Sequence, residues 1–261
     1  MTEPAKPAID LDHVALATRD VGAALDTLVG QLGGLLIFGG NNLGFRALQV
    51  RLGPDATTGL NVEVLEPWDH GSNDFLHRFL ERHGPSPHHL TFKVDDLARK
   101  LDEVEAAGVR IVNVDLSSPN WKEAFVHPKD GHGTVIQFAE QHGFPAREDL
   151  LAEVRRSGAH AHPQWWPDPP PRAERDPVLR RVVLRTPELP AAAGFYTGVL
   201  GGREVAAGEG WVEFGWPGGG RVALEQRPGD AAVDRIEIEV SGPGVTGELT
   251  VAGTRLVVGP G

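Results

Sequence analysis

The chain repeats itself, and that constrains its fold more than any other feature. Residues 11–34 read LDHVALATRDVGAALDTLVGQLGG, and residues 179–202 read LRRVVLRTPELPAAAGFYTGVLGG. The two align without a gap, and ten of 24 positions are identical. Unrelated segments of average composition would share roughly two. A period of this kind means that one supersecondary unit has been copied along the chain. The unit itself is readable. LDHVALA alternates as a half-buried strand does, and RDVGAALDTLVGQLGG has apolar residues at helical spacing. Gly33-Gly34 closes it as a helix stop. Short alternating runs at Phe45–Leu52 and Leu60–Leu65 complete a strand, a helix, then strands.

The unit recurs within the first half. HLTFKV is a strand, Asp95-Asp96 caps a helix through DDLARKLDEVEAAGVRI, and Gly108 ends it. Val109–Val112, Ala124–His127 and Thr134–Phe138 follow as strands, the last two joined by a turn in which Asp130-Gly131 is the hairpin signal. The expectation is an α+β fold of paired βαβββ modules: a cupped mixed sheet with helices outside, duplicated along the chain with a degenerate second half. Residues 8–141 hold two modules. Residues 142–177 hold a short helix and the proline-rich linker PDPPP, with Trp165-Trp166 pinning the linker to a domain surface. Residues 178–261 hold one clear module and a compressed tail that opens on DRIEIEV with no good helix after it.

Strand alternation then sorts the polar residues. His13 shares a face with Ala15 and Ala17, and His89 shares one with Thr91 and Lys93. His88 falls with Leu90, Phe92 and Val94, so His89 and not His88 looks into the open side of the sheet. Glu63 stands opposite Val62 and Val64, and Gln137 opposite Ile136 and Phe138. His13 is 76 residues before His89, and Glu63 is 74 before Gln137. Nearly equal offsets let a pseudo-twofold bring all four into one cup. Two imidazoles, a carboxylate and an amide can hold a divalent metal with room for substrate.

Composition removes other chemistries. There is no cysteine, which excludes disulfides, thiolate catalysis and cysteine-ligated metals. A net charge of -11 argues against a nucleic-acid partner. No run of 18 apolar residues predicts a membrane span, and MTEPAKPAID does not read as a secretory signal, so a cytoplasmic protein is expected. WPGGGR is a set of turn glycines, not a nucleotide loop. His132 reads as an exposed turn residue. His70, His77 and His83 read as the surface of a short helix, and His160 and His162 as linker residues.

The stretches LDHVALATRDV, VEVLEP, HGPSPHHLTFKVDDL and FVHPKDGHGTVIQF together resemble the vicinal oxygen chelate superfamily, which includes glyoxalase I, extradiol dioxygenases, methylmalonyl-CoA epimerase and bleomycin-resistance proteins. The likeness is nearest to the epimerase-like branch, over about residues 9–141. It implies a divalent metal (Zn, Mn, Co, Ni or Fe) on His13, Glu63, His89 and Gln137, and a small-molecule substrate. Gln137 stands where that branch carries a glutamate base, and FRALQV offers no carboxylate. Glu63 is then the candidate base, and a one-base lyase or isomerase is the expected activity. An Fe(II) extradiol-type dioxygenase and a non-catalytic resistance-type binding protein are the alternatives. Arg181 and Arg235 stand at the places of His13 and His89 in the second half, where a guanidinium cannot ligate a cation. A homodimer is left open, since paired modules on one chain can replace dimerisation.

Overall fold

A computed structural model describes residues 9–157, 169–242 and 245–261. Trp165-Trp166, His160 and His162 lie outside the described residues. The first half runs β1 (Ile9–Ala17), α1 (Val21–Leu25), β2 (Leu35–Asn42), β3 (Phe45–Leu52), β4 (Leu60–Pro67), α2 (Phe75–His83), β5 (Ser86–Val94), α3 (Leu97–Ala106), β6 (Ile111–Asp115), β7 (Trp121–Val126), β8 (Val135–Gln141) and α4 (Arg147–Ser157). The second runs β9 (Asp176–Thr186), α5 (Leu189–Gly198), β10 (Arg203–Gly208), β11 (Trp211–Gly215), β12 (Arg221–Gln226), β13 (Ala232–Ser241), β14 (Gly247–Val251) and β15 (Thr254–Pro260). The strand orders are β2-β3-β4-β1-β5-β8-β7-β6 and β10-β11-β12-β9-β13-β15-β14. Each is a mixed sheet, and the second lacks one strand of the first. Among the described residues, no helix lies between β13 and β14.

Contacts divide the chain into two compact units. The unit containing residues 13–88, 145–182 and 234–261 carries the first module. Its helix is capped by Asp20, whose Oδ1 accepts from Ala23 N at 2.9 Å. The helix then loosens into a π-helical stretch over Asp26–Gln31. Gly33 ends it at φ 83°, and a Cβ there would lie 2.7 Å from the Arg175 carbonyl oxygen, so only glycine fits. β4 pairs with β1 in parallel and with β3 antiparallel. Ala15, Ala17, Ala47 and Leu65, all on the His13 side, form a cluster with Leu76 and Leu80. Thus α2 covers one end of the face that bears the site. His88 packs edge-on against Phe79 at 4.6 Å and Phe75 at 5.9 Å, and burial pushes its pKa down to about 4.

The other unit, residues 1–12, 89–144 and 183–233, carries the second module. Asp96 caps α3 through Oδ1, which accepts from Arg99 N at 3.0 Å. Buried Glu140 completes that helix end: its Oε2 accepts from Leu97 N at 2.8 Å, and its Oε1 accepts from Lys122 Nζ at 2.6 Å and lies 2.5 Å from His142 Nε2. These partners favour the carboxylate and lower its pKa to about 2. The unfolded chain, with an ordinary glutamate, takes a proton well before the folded chain does. The contribution is therefore full above about pH 4.5 and is lost as pH falls toward 2. Glu140→Gln is expected to cost about 1–3 kcal/mol at pH 7 and to flatten the acid limb of the stability–pH curve. Urea unfolding at pH 7 and pH 3 measures both, and a variant that keeps the wild-type slope contradicts the assignment.

The β7–β8 turn differs from expectation. The left-handed residues are His132 at φ 52° and Gly133 at φ 107°, not Asp130-Gly131. Eight residues separate the strands, too many for a two-residue turn, and the loop first makes a helical turn with Gly131 N donating to the His127 carbonyl. His132, expected to be exposed, is half-buried with its ring 5.3 Å from Phe195, and that burial lowers its pKa. In the same unit Tyr196 is fully buried between Phe195, Phe214 and Trp216, and its hydroxyl has no hydrogen-bond partner among the described residues. Tyr196→Phe deletes an unsatisfied polar group without changing the shape. A gain of about 1 kcal/mol in unfolding free energy is expected, and a loss of that size would show a hidden partner for the hydroxyl.

Candidate metal centre

His13 lies in β1 and is 1% exposed; Glu63 in β4 is 9% exposed. Their neighbours in the sheet are set by register: His13 pairs with Asn61, Ala15 with Glu63, and Gln49 with Glu63. His13 Nε2 is 3.4 Å from Glu63 Oε2. Gln49 Nε2 donates to Glu63 Oε1 at 3.1 Å and lies 3.5 Å from His13 Nδ1. Behind it, Asn61 Nδ2 reaches Gln49 Oε1 at 3.5 Å, and buried Arg51 donates from Nη1 to Asn61 Oδ1 at 3.3 Å. This polar row ties down one oxygen of Glu63 and leaves Oε2 on the His13 side.

His89 in β5 is 5% exposed, with its ring 6.4 Å from Phe125 and at a right angle to it. Gln137 in β8 pairs with Thr91 of β5 and Phe125 of β7. Its Oε1 accepts from Thr91 Oγ1 at 2.5 Å, and its Nε2 donates to Glu123 Oε2 at 2.7 Å. Trp121 Nε1 donates to the same Glu123 oxygen at 2.9 Å.

One ligand atom each of His13, Glu63 and His89 lies within 4.8 Å of the others. Two imidazoles and one carboxylate suit a borderline cation such as Zn, Mn, Co, Ni or Fe. Gln137 is placed by its bonds to Thr91 and Glu123, two strand positions on from the row of His89. Sequence reasoning missed Gln49, Asn61, Arg51, Thr91, Trp121 and Glu123. Alternation alone puts Gln49 and Arg51 on one face of FRALQVRL, but only the β3–β4 register shows that this is the face of Glu63.

Three basic residues of the first half are engaged by neighbouring side chains. Lys93 Nζ lies 3.1 Å from Asp12 Oδ1, and Lys122 binds Glu140. Arg46 lies 3.7 Å from Glu66 and stacks 3.4 Å over Trp68. In the second half, Arg181 Nε and Arg235 Nε donate to the two oxygens of Glu237, each at 2.8 Å. Arg235 and Arg255 share Asp234 Oδ2 at 2.9 Å. Ion pairs thus occupy the places of His13 and His89.

Three comparisons bear on this geometry. The model of a family described as the glyoxalase/bleomycin resistance protein/dioxygenase superfamily matches residues 12–125, which includes three of the four residues and stops short of Gln137. Similar solved structures include a methylmalonyl-CoA epimerase from Mycobacterium tuberculosis, 26% identical, covering 58% of this chain and 97% of its own, with a TM-score of 0.46. Another is a hypothetical protein from Staphylococcus aureus, 8% identical, covering 97% of this chain and 99% of its own, with a TM-score of 0.64. That last likeness carries the fold over nearly the whole chain. No curated protein matches.

Proposed function

From the match of residues 12–125 to the model of the glyoxalase/bleomycin resistance protein/dioxygenase superfamily, we propose that the chain is a metal-dependent lyase or isomerase of a small substrate that chelates through oxygen. His13, Glu63, His89 and Gln137 hold the cation. The observation that carries this reading is the approach of the His13, Glu63 and His89 ligand atoms to within 4.8 Å. A bound divalent cation supplies Lewis acidity toward an enolate or related oxyanion.

The chain's own residues do the rest. Glu63 is the one carboxylate in the set, so it takes and returns the proton. Its Oε1 is held by Gln49 Nε2, and its Oε2 lies 3.4 Å from His13 Nε2. Gln137 cannot take a proton from carbon at neutral pH, so a single base serves the site. Leu76 and Leu80 of α2, packed on Ala15 and Ala17, keep water from one end of this face. On this reading residues 8–141 are the working part. Residues 142–177 are a connector, and residues 178–261 are a degenerate copy in which the Arg181–Glu237–Arg235 ion pairs have taken the place of ligands.

The test is metal content followed by proton exchange. Protein reconstituted with Zn, Mn, Co, Ni or Fe(II) is incubated in heavy water with 2-oxo acids, 2-hydroxy acids and acyl thioesters, and loss of the α-proton is followed by NMR. Exchange that needs metal and vanishes in Glu63→Gln is the expected result. Absence of metal after reconstitution overturns the reading. Tight binding of a small molecule that survives chelator, without exchange, replaces it by a binding protein.

A further inference from the structure

We propose that Glu123 is a positioning residue that fixes the amide of Gln137 with its oxygen, not its nitrogen, available to a cation. The inference rests on the reading of Gln137 as a ligand and concerns what makes it one. A glutamine side chain has two nearly isosteric ends, and only the oxygen can coordinate. A neutral amide therefore ligates only if something selects its orientation. Here a carboxylate does so at one end, with a hydroxyl that accommodates the result at the other. The carboxylate of Glu123 can only accept, so it takes the NH2 end of Gln137 at 2.7 Å. The hydroxyl of Thr91 donates to the oxygen end at 2.5 Å. That oxygen keeps a second lone pair, on the strand face it shares with Thr91 and His89.

Glu123 is itself held in place. Its Oε2 also accepts from Trp121 Nε1 at 2.9 Å, so one oxygen receives two donors and the carboxylate cannot turn without losing both. Register brings this about. Phe125 of β7 is the direct partner of Gln137, and Glu123 is one step further along the same face, opposite Ala139. The small Ala139 side chain leaves space for Glu123 to lean back to Gln137. A flipped amide would set its NH2 against the Thr91 hydroxyl and its oxygen against the Glu123 carboxylate. The second of these puts two acceptors at 2.7 Å, which is repulsive and selects against the flip.

The same logic holds in the first module, where Asn61 and Gln49 orient Glu63. There the ligand is a carboxylate with two equivalent oxygens, so the supporting bonds choose which oxygen is left over. At Gln137 they decide whether there is a ligand atom at all. Glu123 should therefore matter more to the cation than an ordinary supporting hydrogen bond does.

The experiment is a set of competition titrations with Co(II) and Zn(II) on full-length wild type, Glu123→Leu, Glu123→Gln, Gln137→Ala and the double variant Glu123→Leu/Gln137→Ala. The Co(II) absorption spectrum is recorded for each, and thermal unfolding of each apo-protein controls for folding. Loss of a supporting partner typically weakens metal affinity by about 10–100-fold, and Glu123→Leu should show a loss in that range with an altered Co(II) spectrum. Glu123→Gln should restore affinity and spectrum, because an amide oxygen can accept both donors. The double variant should bind no more weakly than Gln137→Ala alone, since the two residues act through one atom. Wild-type affinity in Glu123→Leu alongside weakened Gln137→Ala overturns this inference and leaves the metal site intact. Unchanged affinity in Gln137→Ala removes Gln137 from the ligand set and the inference with it. Wild type that binds neither ion defeats the metal reading itself.

Discussion

Replacing His89 by alanine should abolish near-stoichiometric divalent metal binding. On the proposed reading His89 supplies one of two imidazoles beside one carboxylate and one amide, and the two imidazoles and the carboxylate are the groups whose ligand atoms approach one another. Losing a ligand outright must cost more than the roughly 10–100-fold that follows loss of a supporting hydrogen bond. The neighbouring residue is the control. His88 sits against Phe75 and Phe79 of α2, so His88→Leu should leave metal content unchanged. It should change acid stability instead. With a folded pKa near 4 against an ordinary value of 6.5, His88 stays neutral while the unfolded chain gains a proton. Stability is thus lost as pH falls from about 6.5 to 4, and His88→Leu removes that loss. Elemental analysis after reconstitution, with unfolding curves at pH 7 and pH 5, separates the twin histidines. Equal metal content in the two variants, or a metal-free wild type, would refute the assignment.

That contrast also shows how much the chain's letters disclose. Period-two alternation predicts opposite faces for His88 and His89, yet His88 packs on Phe75 and Phe79 of α2, the helix over the His13 face, and feels the charge of Glu63. The repeat was enough to expect paired modules, because a copied segment folds as its original does. The Asp96 cap and the Gly33 stop were legible for the same local reason: each is a property of one helix end. What stayed hidden depends on register between distant segments. Nothing near Gln49 says that it will lie opposite Glu63, nor near Glu123 that it will reach Gln137. The turn before β8 was misjudged because Asp130-Gly131 is a strong local signal overridden by loop length, which moved the left-handed residues to His132 and Gly133. Nor could α2 be placed: its apolar stripe shows that it buries a face, but not that Ala15, Ala17 and Ala47 are small enough to admit Leu76 and Leu80.

The largest effect on stability is expected at Arg51, a residue with no obvious role in the sequence. Its side chain is 1% exposed. Nη2 donates to the carbonyls of Asp55 at 2.7 Å and Thr58 at 2.8 Å, and Nε reaches Asp55 O at 3.2 Å. The loop between β3 and β4 therefore folds around a buried guanidinium. Burying a charge is costly, and replacing a buried ion pair by apolar residues is often neutral. That argument fails here because three of these bonds go to backbone carbonyls, which no substitution removes. Arg51→Leu strands them, at about 1–3 kcal/mol for each group that water cannot reach. A loss of about 3–5 kcal/mol is expected, measured by urea unfolding, with Arg51→Lys intermediate because an ammonium cannot span the fork. The substitution also frees Asn61, which then no longer holds Gln49 against Glu63. Weakened metal affinity in whatever folded protein remains should accompany the instability. A loss below about 1 kcal/mol would mean that water reaches the loop carbonyls, and unchanged metal affinity would mean that Glu63 keeps its place without the row behind it.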